Sequence, residues 1–301
     1  MKNLKIVDLF CGCGGLSLGF QNSGFNIVAA FDYWDFAINI YKNNFSHPVI
    51  KRDLRNTSDI SDIKSFNPNF IIGGPPCQDY STSGHRDESL GRAELSISFA
   101  KIIAEIRPLF FLMENVPNIQ RSKTYNSVIG IFHKAHYGLT RVVLDASLCG
   151  VPQKRKRFIT FGALGRPDDE ALSFFTRNLS SRSMTIRDYF GDSLGFQYYF
   201  RVPTSYKRRG IYSIDEPSMT IRGVDRPVPK GYKGHPSDPV PMSSDIRSLT
   251  IEERAQIQTF PCSFKWFGSK TQLNQTIGNA VPVKLAEYIA NCISEYINET
   301  C

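Results

Sequence analysis

Short apolar runs recur along the first half of the chain, and longer amphipathic stretches separate them. Val, Ile and Phe dominate these runs, as they do in buried strands. The runs are KIVDLF at 5, NIVAAFD at 26, FIIGG at 70, LFFLMENV at 109, TRVVLDAS at 140 and RFITFGAL at 157. WDFAINIYKNNF at 34 and RAELSISFAKIIAEI at 92 have helical spacing, and the second ends before Pro108. This alternation predicts an α/β domain with a doubly wound, mostly parallel, Rossmann-like sheet.

The rhythm of strands and helices stops near residue 170. The stretch RVPTSYKRRGIYSIDEPSMTIRGVDRPVPKGYKGHPSDPVP is rich in Pro and Gly, which is typical of loops and short strands. Helical periodicity returns in TIEERAQIQTF and in VPVKLAEYIANCISEYI, which is apolar on one side. We therefore predict a first domain at 1–170, a smaller loop- and β-rich domain at 171–265, and a C-terminal segment at 266–301 that returns to the first domain.

Composition narrows the class of protein. The 301 residues are 41% hydrophobic, and 36 basic residues face 28 acidic ones, for a formal charge of +8. Basic residues are concentrated between Arg201 and His235, which suits nucleic acid but also serves solubility. The seven cysteines form no C-x-x-C pair, so we expect no metal, no disulfide framework and a cytoplasmic location. The sequence has no run long enough for a membrane span, and we expect no membrane partner.

A glycine turn follows the first predicted strand in KIVDLFCGCGGLSLGF. Such a turn lets a ligand approach the backbone at the carboxyl end of a strand. Asp32 closes the next strand, where a carboxylate can accept hydrogen bonds from ribose hydroxyls. Tyr33 is a candidate to stack on adenine, and Asp53 to accept from its amine. An adenosine-containing cofactor is implied, although glycine turns and helix-capping Asp residues are also ordinary structure.

Cys77 and Glu114 are the candidate reactive groups. Cys77 follows the fourth strand behind the stiff turn GGPP, and a thiolate there is a good nucleophile. Glu114 ends the fifth strand after an apolar run, where a carboxylic acid can donate a proton. Arg155 and Arg157 stand two apart at a strand start, so we expect both to point to one face. Each has a purely structural alternative: Cys77 could be an ordinary buried cysteine, Glu114 a helix cap, and the two arginines part of a solvated basic edge strand.

Together these motifs resemble the C5-cytosine DNA methyltransferases. DLFCGCGG looks like the family's cofactor loop, GGPPCQ its nucleophile motif, ENV its acid motif, QKRKR its Q-x-R-x-R motif and IGNAVP its closing motif. The resemblance covers about 1–165 and 245–295, and it departs from the usual pattern at Cys11, where the family most often has Ser. It implies a bacterial restriction–modification enzyme with the S-adenosylmethionine-dependent methyltransferase fold.

The resemblance also assigns roles to residues. The Cys77 thiolate would attack C6 of a cytosine flipped out of duplex DNA, while Glu114 holds N3 and Arg157 steadies O2 with Arg155 nearby. S-adenosylmethionine would then methylate C5. The implied cofactor-binding residues are Phe10, Gly12, Gly14, Gly15, Leu16, Asp32, Tyr33, Asp53, Leu54, Pro75, Leu95, Asn279, Ala280 and Val281.

The predicted DNA contacts fall in two segments. QDYSTSGHRDESLGRAEL resembles the family's catalytic loop, with Ser81 and Ser83 near the phosphates. PSMTIRG resembles the Thr-plus-aliphatic pair of the target-recognition domain, at Thr220 and Ile221. Our candidates for base contacts are Arg222, Asp225 and Arg226, and our candidates for phosphate contacts are Lys207, Arg208 and Arg209.

Three alternatives remain open from the sequence. A transfer-RNA cytosine methyltransferase would carry the same motifs, although the basic insert favours DNA. A DNA-binding relative without catalysis is disfavoured by intact Cys77, Glu114 and Arg157. A dinucleotide-dependent oxidoreductase would explain only the glycine turn. We further expect a monomer, with a cognate restriction endonuclease as a partner of the same system.

Overall fold

A computed structural model describes residues 4–76, 94–203, 205 and 208–300. Its strands are β1 (Lys5–Leu9), β2 (Asn26–Asp32), β3 (Val49–Lys51), β4 (Phe70–Gly73), β5 (Phe110–Asn115), β6 (Tyr137–Asp145), β7 (Gln153–Lys154), β8 (Lys156–Leu164), β9 (Tyr198–Phe200), β10 (Ile211–Ser213) and β11 (Ser218–Met219). Its α-helices are α1 (Gly15–Asn22), α2 (Asp35–Lys42), α3 (Ser61–Lys64), α4 (Glu94–Ile106), α5 (Lys123–Lys134), α6 (Leu172–Arg177), α7 (Ile186–Phe190), α8 (Ile251–Ile257), α9 (Lys270–Asn279) and α10 (Val283–Thr300).

Seven strands form the central sheet in the order β3-β2-β1-β4-β5-β8-β6. The first five of these are parallel, whereas β8 runs antiparallel to both β5 and β6. The predicted α/β class with a mostly parallel sheet is confirmed. The antiparallel pair arises because the short segment between β6 and β8 carries no crossover helix, which a parallel return would need.

The chain changes direction across the sheet between β1 and β4. It first builds outward through β2 and β3, then returns to place β4 on the other side of β1. Ligands of doubly wound sheets bind outside the carboxyl ends of the strands at such a switch point. The turn after β1, the end of β2 and the ends of β4 and β5 all reach this edge.

Helices cover both faces of the sheet because strand side chains alternate. Ile6 and Phe70 point into the core beside α1 and α10, whereas Val7 and Ile71 point into the core beside α4 and α5. The last helix lies so close to the first that a Cβ at Gly19 would be 2.3 Å from the Cβ of Ala286. The C-terminal helix therefore packs directly behind the glycine turn.

The segment after residue 170 is loop-rich with short strand pairs. β9 and β10 are antiparallel, and β11 pairs with β7. Asp238 organises its loops, because its carboxylate accepts hydrogen bonds from the amides of Gly210 and Ile211 and from the Tyr232 hydroxyl. The division at 170 and 265 stays a prediction. None of the helices within the described residues is long and apolar enough to span a membrane.

Candidate active site

The glycine turn is held against Asp32 from the neighbouring strand. The Asp32 carboxylate accepts from the Gly12 amide at 2.8 Å and from the Trp34 amide at 2.8 Å. Gly12 has a φ of 54°, and a Cβ built there would meet nothing within 4 Å. The backbone at Gly12 is therefore open to a ligand, while the half-buried Asp32 carboxylate fixes its conformation.

The closing motif packs on the same turn from the opposite side. A Cβ at Gly15 would lie 2.2 Å from the Val281 carbonyl oxygen, so only glycine fits there. Gly14 lies against the rings of Tyr41 and Phe45. The structure thus brings together the first and last of the predicted cofactor motifs.

The other predicted cofactor residues differ in exposure. Tyr33 is 62% exposed, so its ring is accessible for stacking on an adenine. The Asp53 carboxylate is bound by Arg55 at 2.6 Å, and this hydrogen bond lowers the pKa of Asp53. Leu16, Leu54, Pro75 and Val281 are buried, Phe10, Leu95 and Ala280 are half-buried, and Asn279 is exposed.

Glu114 and Arg157 form a pair at the carboxyl end of β5. The Arg157 Nε atom lies 2.7 Å from Glu114 Oε1, and the side chains are 14% and 11% exposed. Gly74 lies beside them, since a Cβ there would be 3.2 Å from Glu114 Oε2. Asn115 donates to the Pro75 carbonyl at 3.2 Å, which ties the end of β5 to the turn after β4. The predicted acid and one predicted arginine are therefore adjacent.

Arg155 has a different environment from Arg157. Its side chain is 2% exposed, and burial lowers the pKa of its guanidinium. The guanidinium donates to the carbonyls of Ile221 at 3.0 Å, Gly278 at 2.9 Å and Ala280 at 3.0 Å. We expected both arginines on one face, but Arg155 lies in the break between β7 and β8. Its contacts make it a positioning residue that joins Ile221, in the loop-rich segment after residue 170, to Gly278 and Ala280 of the closing motif.

Two buried glutamines extend this connection. Gln153 accepts from the Ile221 amide at 3.0 Å and donates to Gln258 at 2.8 Å. Gln258 in turn donates to the Ile277 carbonyl at 2.6 Å. Our sequence reasoning missed Gln258, and the only signal was a polar residue next to the apolar Ile257 at the end of a helix.

The predicted DNA-contacting residues within the described ranges fall into those that bond to other parts of the protein and those that are exposed. Arg222 is half-buried and donates to the Val202 carbonyl at 2.8 Å, while Asp225 lies 3.5 Å from buried Arg254. Thr220 donates to the Lys154 carbonyl, and Arg209 pairs with Glu216. Arg208 and Arg226 are exposed. Cys77, Ser81, Ser83 and Lys207 lie outside the described residues.

The fold and this site define an α/β methyltransferase. Among solved structures, the S. pombe Dnmt2 methyltransferase shares the fold with a TM-score of 0.73 at 19% identity, over 98% of this chain and 99% of that chain. Residues 4–295 match the family model described as C-5 cytosine-specific DNA methylase, and the chain belongs to this family. The predicted activity, that of a DNA cytosine-5 methyltransferase, is thereby confirmed.

Curated relatives extend along the whole chain. The Type II methyltransferase M.HindV of Haemophilus influenzae is 53% identical over 298 residues, covering 98% of both chains. The Type II methyltransferase M.HgiDI of Herpetosiphon aurantiacus is 49% identical over 297 residues, covering 98% of this chain and 96% of that protein. Family membership favours the methyltransferase interpretation over the oxidoreductase alternative, which rested on the glycine turn alone.

Proposed function

We propose that this protein methylates C5 of cytosine in a specific duplex DNA site, with S-adenosylmethionine as the donor and Cys77 as a covalent nucleophile. The observation that carries the proposal is the Glu114–Arg157 pair at 2.7 Å, placed at the sheet edge where the glycine turn lies. The ends of β4 and β1 are close to each other at this edge, because a Cβ at Gly73 would be 2.5 Å from the Leu9 carbonyl oxygen, which precedes the glycine turn.

The residues of the glycine turn fit an adenosine-containing donor. The open backbone at Gly12 admits a ligand, exposed Tyr33 offers a ring for stacking, and Asp32 offers carboxylate oxygens for ribose hydroxyls. Asp53 would accept from the adenine amine in place of its present partner Arg55. S-adenosylmethionine supplies an electrophilic methyl group on a sulfonium.

The chain's own residues would activate the base. C5 of cytosine is a poor nucleophile until a bond forms at C6, and we assign that bond to the Cys77 sulfur. Glu114 would donate to or hold N3 while Arg157 steadies O2, and the electron pair of the C5–C6 double bond then becomes available at C5. After methyl transfer, the C5 proton passes to a solvent base, its electron pair re-forms the C5–C6 double bond, and the Cys77 thiolate leaves C6 for the next cycle.

The substrate would be duplex DNA with its target base flipped out, because C5 is out of reach inside the helix. Extrusion costs a few kcal/mol, which contacts with the phosphates can offset. Exposed Arg208 is suited to such contacts, and exposed Arg226 stays our candidate for a base contact. Since both named relatives are Type II methyltransferases, we propose that the protein is the modification enzyme of a restriction–modification system with a cognate endonuclease.

The test is covalent trapping on duplex oligonucleotides that contain 5-fluorocytosine. With S-adenosylmethionine present, the wild-type protein should form a denaturant-resistant adduct, because fluorine at C5 cannot leave as a proton does. Cys77→Ala should form none but still bind duplex DNA. Cys262→Ala is the matched control, since Cys262 is an exposed free cysteine that has no part in the proposed mechanism.

Two outcomes would contradict the proposal. Adduct formation by Cys77→Ala would show that another residue is the nucleophile. Methyl transfer to transfer RNA in preference to any duplex DNA would show that the substrate is RNA. If duplex DNA is the substrate, sequencing of methylated genomic DNA from an expressing host would identify the modified site.

A further inference from the structure

A buried carboxyl group, that of Asp8, lies next to the glycine turn and has no part in the proposed mechanism. Asp8, near the end of β1, is 0% exposed. Ser17 on α1 donates to its Oδ2 atom at 2.6 Å, while its Oδ1 atom has no hydrogen-bond partner among the described residues. A buried carboxylate oxygen without a partner is costly, so the group has a strong preference for its neutral form in the free protein.

Asp8 is connected to the protein surface by a chain of hydrogen bonds. Tyr41 on α2 donates to the Ser17 hydroxyl at 2.7 Å, and its own oxygen lies 2.6 Å from His47 Nε2. The other ring nitrogen of His47 lies 3.4 Å from the side-chain amide of Gln21. Asp8, Ser17 and Tyr41 are buried, whereas His47 and Gln21 are half-buried. The chain therefore runs from the interior to the solvent.

This chain has two complete arrangements that differ by one proton. When Asp8 is ionised, His47 Nε2–H donates to Tyr41, Tyr41 to Ser17, and Ser17 to the carboxylate. When Asp8 is protonated, each donor reverses, and Tyr41 donates to an unprotonated Nε2. Burial lowers the pKa of His47 to about 4, so its ring is neutral at physiological pH and can adopt either tautomer.

The charged and titratable surroundings of Asp8 favour its neutral form. The negative charge of Asp32 on β2 opposes the ionisation of Asp8, and the thiols of Cys11 and Cys13 lie in the glycine turn. The neighbour on β4 is the apolar Ile72. Burial raises the pKa of Asp8 to about 8, with Asp32 adding to the effect.

We propose that Asp8 is a proton-exchanging residue of the cofactor site, which releases its proton through Ser17, Tyr41 and His47 when a cationic cofactor occupies the turn. The inference rests on the proposed function, because it takes the ligand to be a sulfonium. The proton passes from Asp8 to Ser17, the Ser17 proton to Tyr41 and the Tyr41 proton to His47 Nε2. One proton then leaves Nδ1 for solvent. The ionised carboxylate and the cation stabilise each other across the turn.

The test measures proton release during cofactor binding. Isothermal titration of S-adenosylmethionine into the full-length protein at pH 7, in buffers of different ionisation enthalpy, gives the number of protons released. We expect about half a proton or more from the wild-type protein, since a group with its pKa near 8 is mostly protonated at that pH. Asp8→Asn should still bind S-adenosylmethionine, but its proton release should be smaller than that of the wild type by this amount. Glu105 is an exposed acid of α4, and Glu105→Gln should release as many protons as the wild type.

Two further measurements test separately the sulfonium charge as the cause of proton release and the hydrogen-bond chain as its path. S-adenosylhomocysteine has a neutral sulfur and should release a smaller fraction of a proton. Equal release by both ligands would overturn the sulfonium as the cause. Tyr41→Phe should release the same amount more slowly in stopped-flow with a pH indicator, and an unchanged rate would overturn the path.

The outcomes distinguish this inference from the proposed function. Binding of S-adenosylmethionine by the wild type without proton release would overturn the role of Asp8 and leave the donor assignment intact. Failure of the wild type to bind S-adenosylmethionine would overturn both. Should Asp8→Asn fail to fold, infrared difference spectra of the wild type decide the question. Ligand binding should remove the band of a protonated carboxyl, and its persistence would contradict the inference.

Discussion

Replacing Arg155 by Met removes a buried guanidinium while an unbranched side chain of similar length keeps its place. Three carbonyls, those of Ile221, Gly278 and Ala280, would lose a charged donor. A buried acceptor without a partner costs about 1–3 kcal/mol, so three together would cost about 3–9 kcal/mol. Relief from burying the guanidinium itself offsets part of this loss, and we expect a net loss of about 3–5 kcal/mol in the free energy of unfolding.

Urea denaturation with linear extrapolation measures this loss. Lys156→Met is the matched control, because Lys156 is the exposed neighbour of Arg155 and its replacement should change the unfolding free energy by less than about 0.5 kcal/mol. Arg157→Met should instead lower turnover by about 10²–10⁴-fold, because Arg157 contacts Glu114. If Arg155→Met unfolds within about 1 kcal/mol of the wild type yet loses turnover as fully as Arg157→Met, Arg155 acts on the bound base and our reasoning from its carbonyl contacts is wrong.

The remaining predictions concern the glycine turn, the buried acid and the recognition segment. Gly15→Ala should destabilise the protein and weaken S-adenosylmethionine binding, because of the 2.2 Å clash with the closing motif, whereas Gly12→Ala should weaken binding at a stability cost of only about 1 kcal/mol. Comparable melting temperatures for the two variants would contradict this. The raised pKa of Asp8 means that the native state holds an extra proton between about pH 4 and pH 8, so wild-type stability should fall as pH rises through this window. The melting temperature of Asp8→Asn, measured over the same range, should lack that decline. Arg222→Ala should blur sequence preference and also lower stability, since Arg222 donates to a carbonyl, whereas Arg208→Ala should weaken DNA binding uniformly and reduce the slope of log K against log salt by about 1. Equal selectivity of these two variants in binding to cognate and altered sites would refute the assignment.

The fold was predictable where the signal was local. The apolar runs at 5, 26, 70 and 109 contain the parallel strands β1, β2, β4 and β5, since buried parallel strands are apolar throughout, and the runs at 140 and 157 overlap the antiparallel strands β6 and β8. The direction of β8 was not predictable from its own residues, because it depends on how its connection to β6 folds. The three-residue β3 is likewise too short to leave a pattern of its own.

The candidate site shows the same division between local and long-range information. Glu114 follows from its place at a strand end, and the glycine turn from its spacing. The inward direction of Arg155 depends on a break between two strands, which a two-residue spacing cannot reveal. The role of Gln258 depends on Gln153, 105 positions away, and no local pattern identifies such a partner.

The contact between the last helix and the first has a consequence for synthesis on the ribosome. Asn22 bonds to Glu287 across 265 positions, and Val281 closes against Gly15. A nascent chain that still lacks α10 would therefore leave α1 and the glycine turn uncovered on the side that Val281 and Ala286 close. We therefore expect binding of the methyl donor to begin only after the segment with Val281 and Ala286 has left the ribosome.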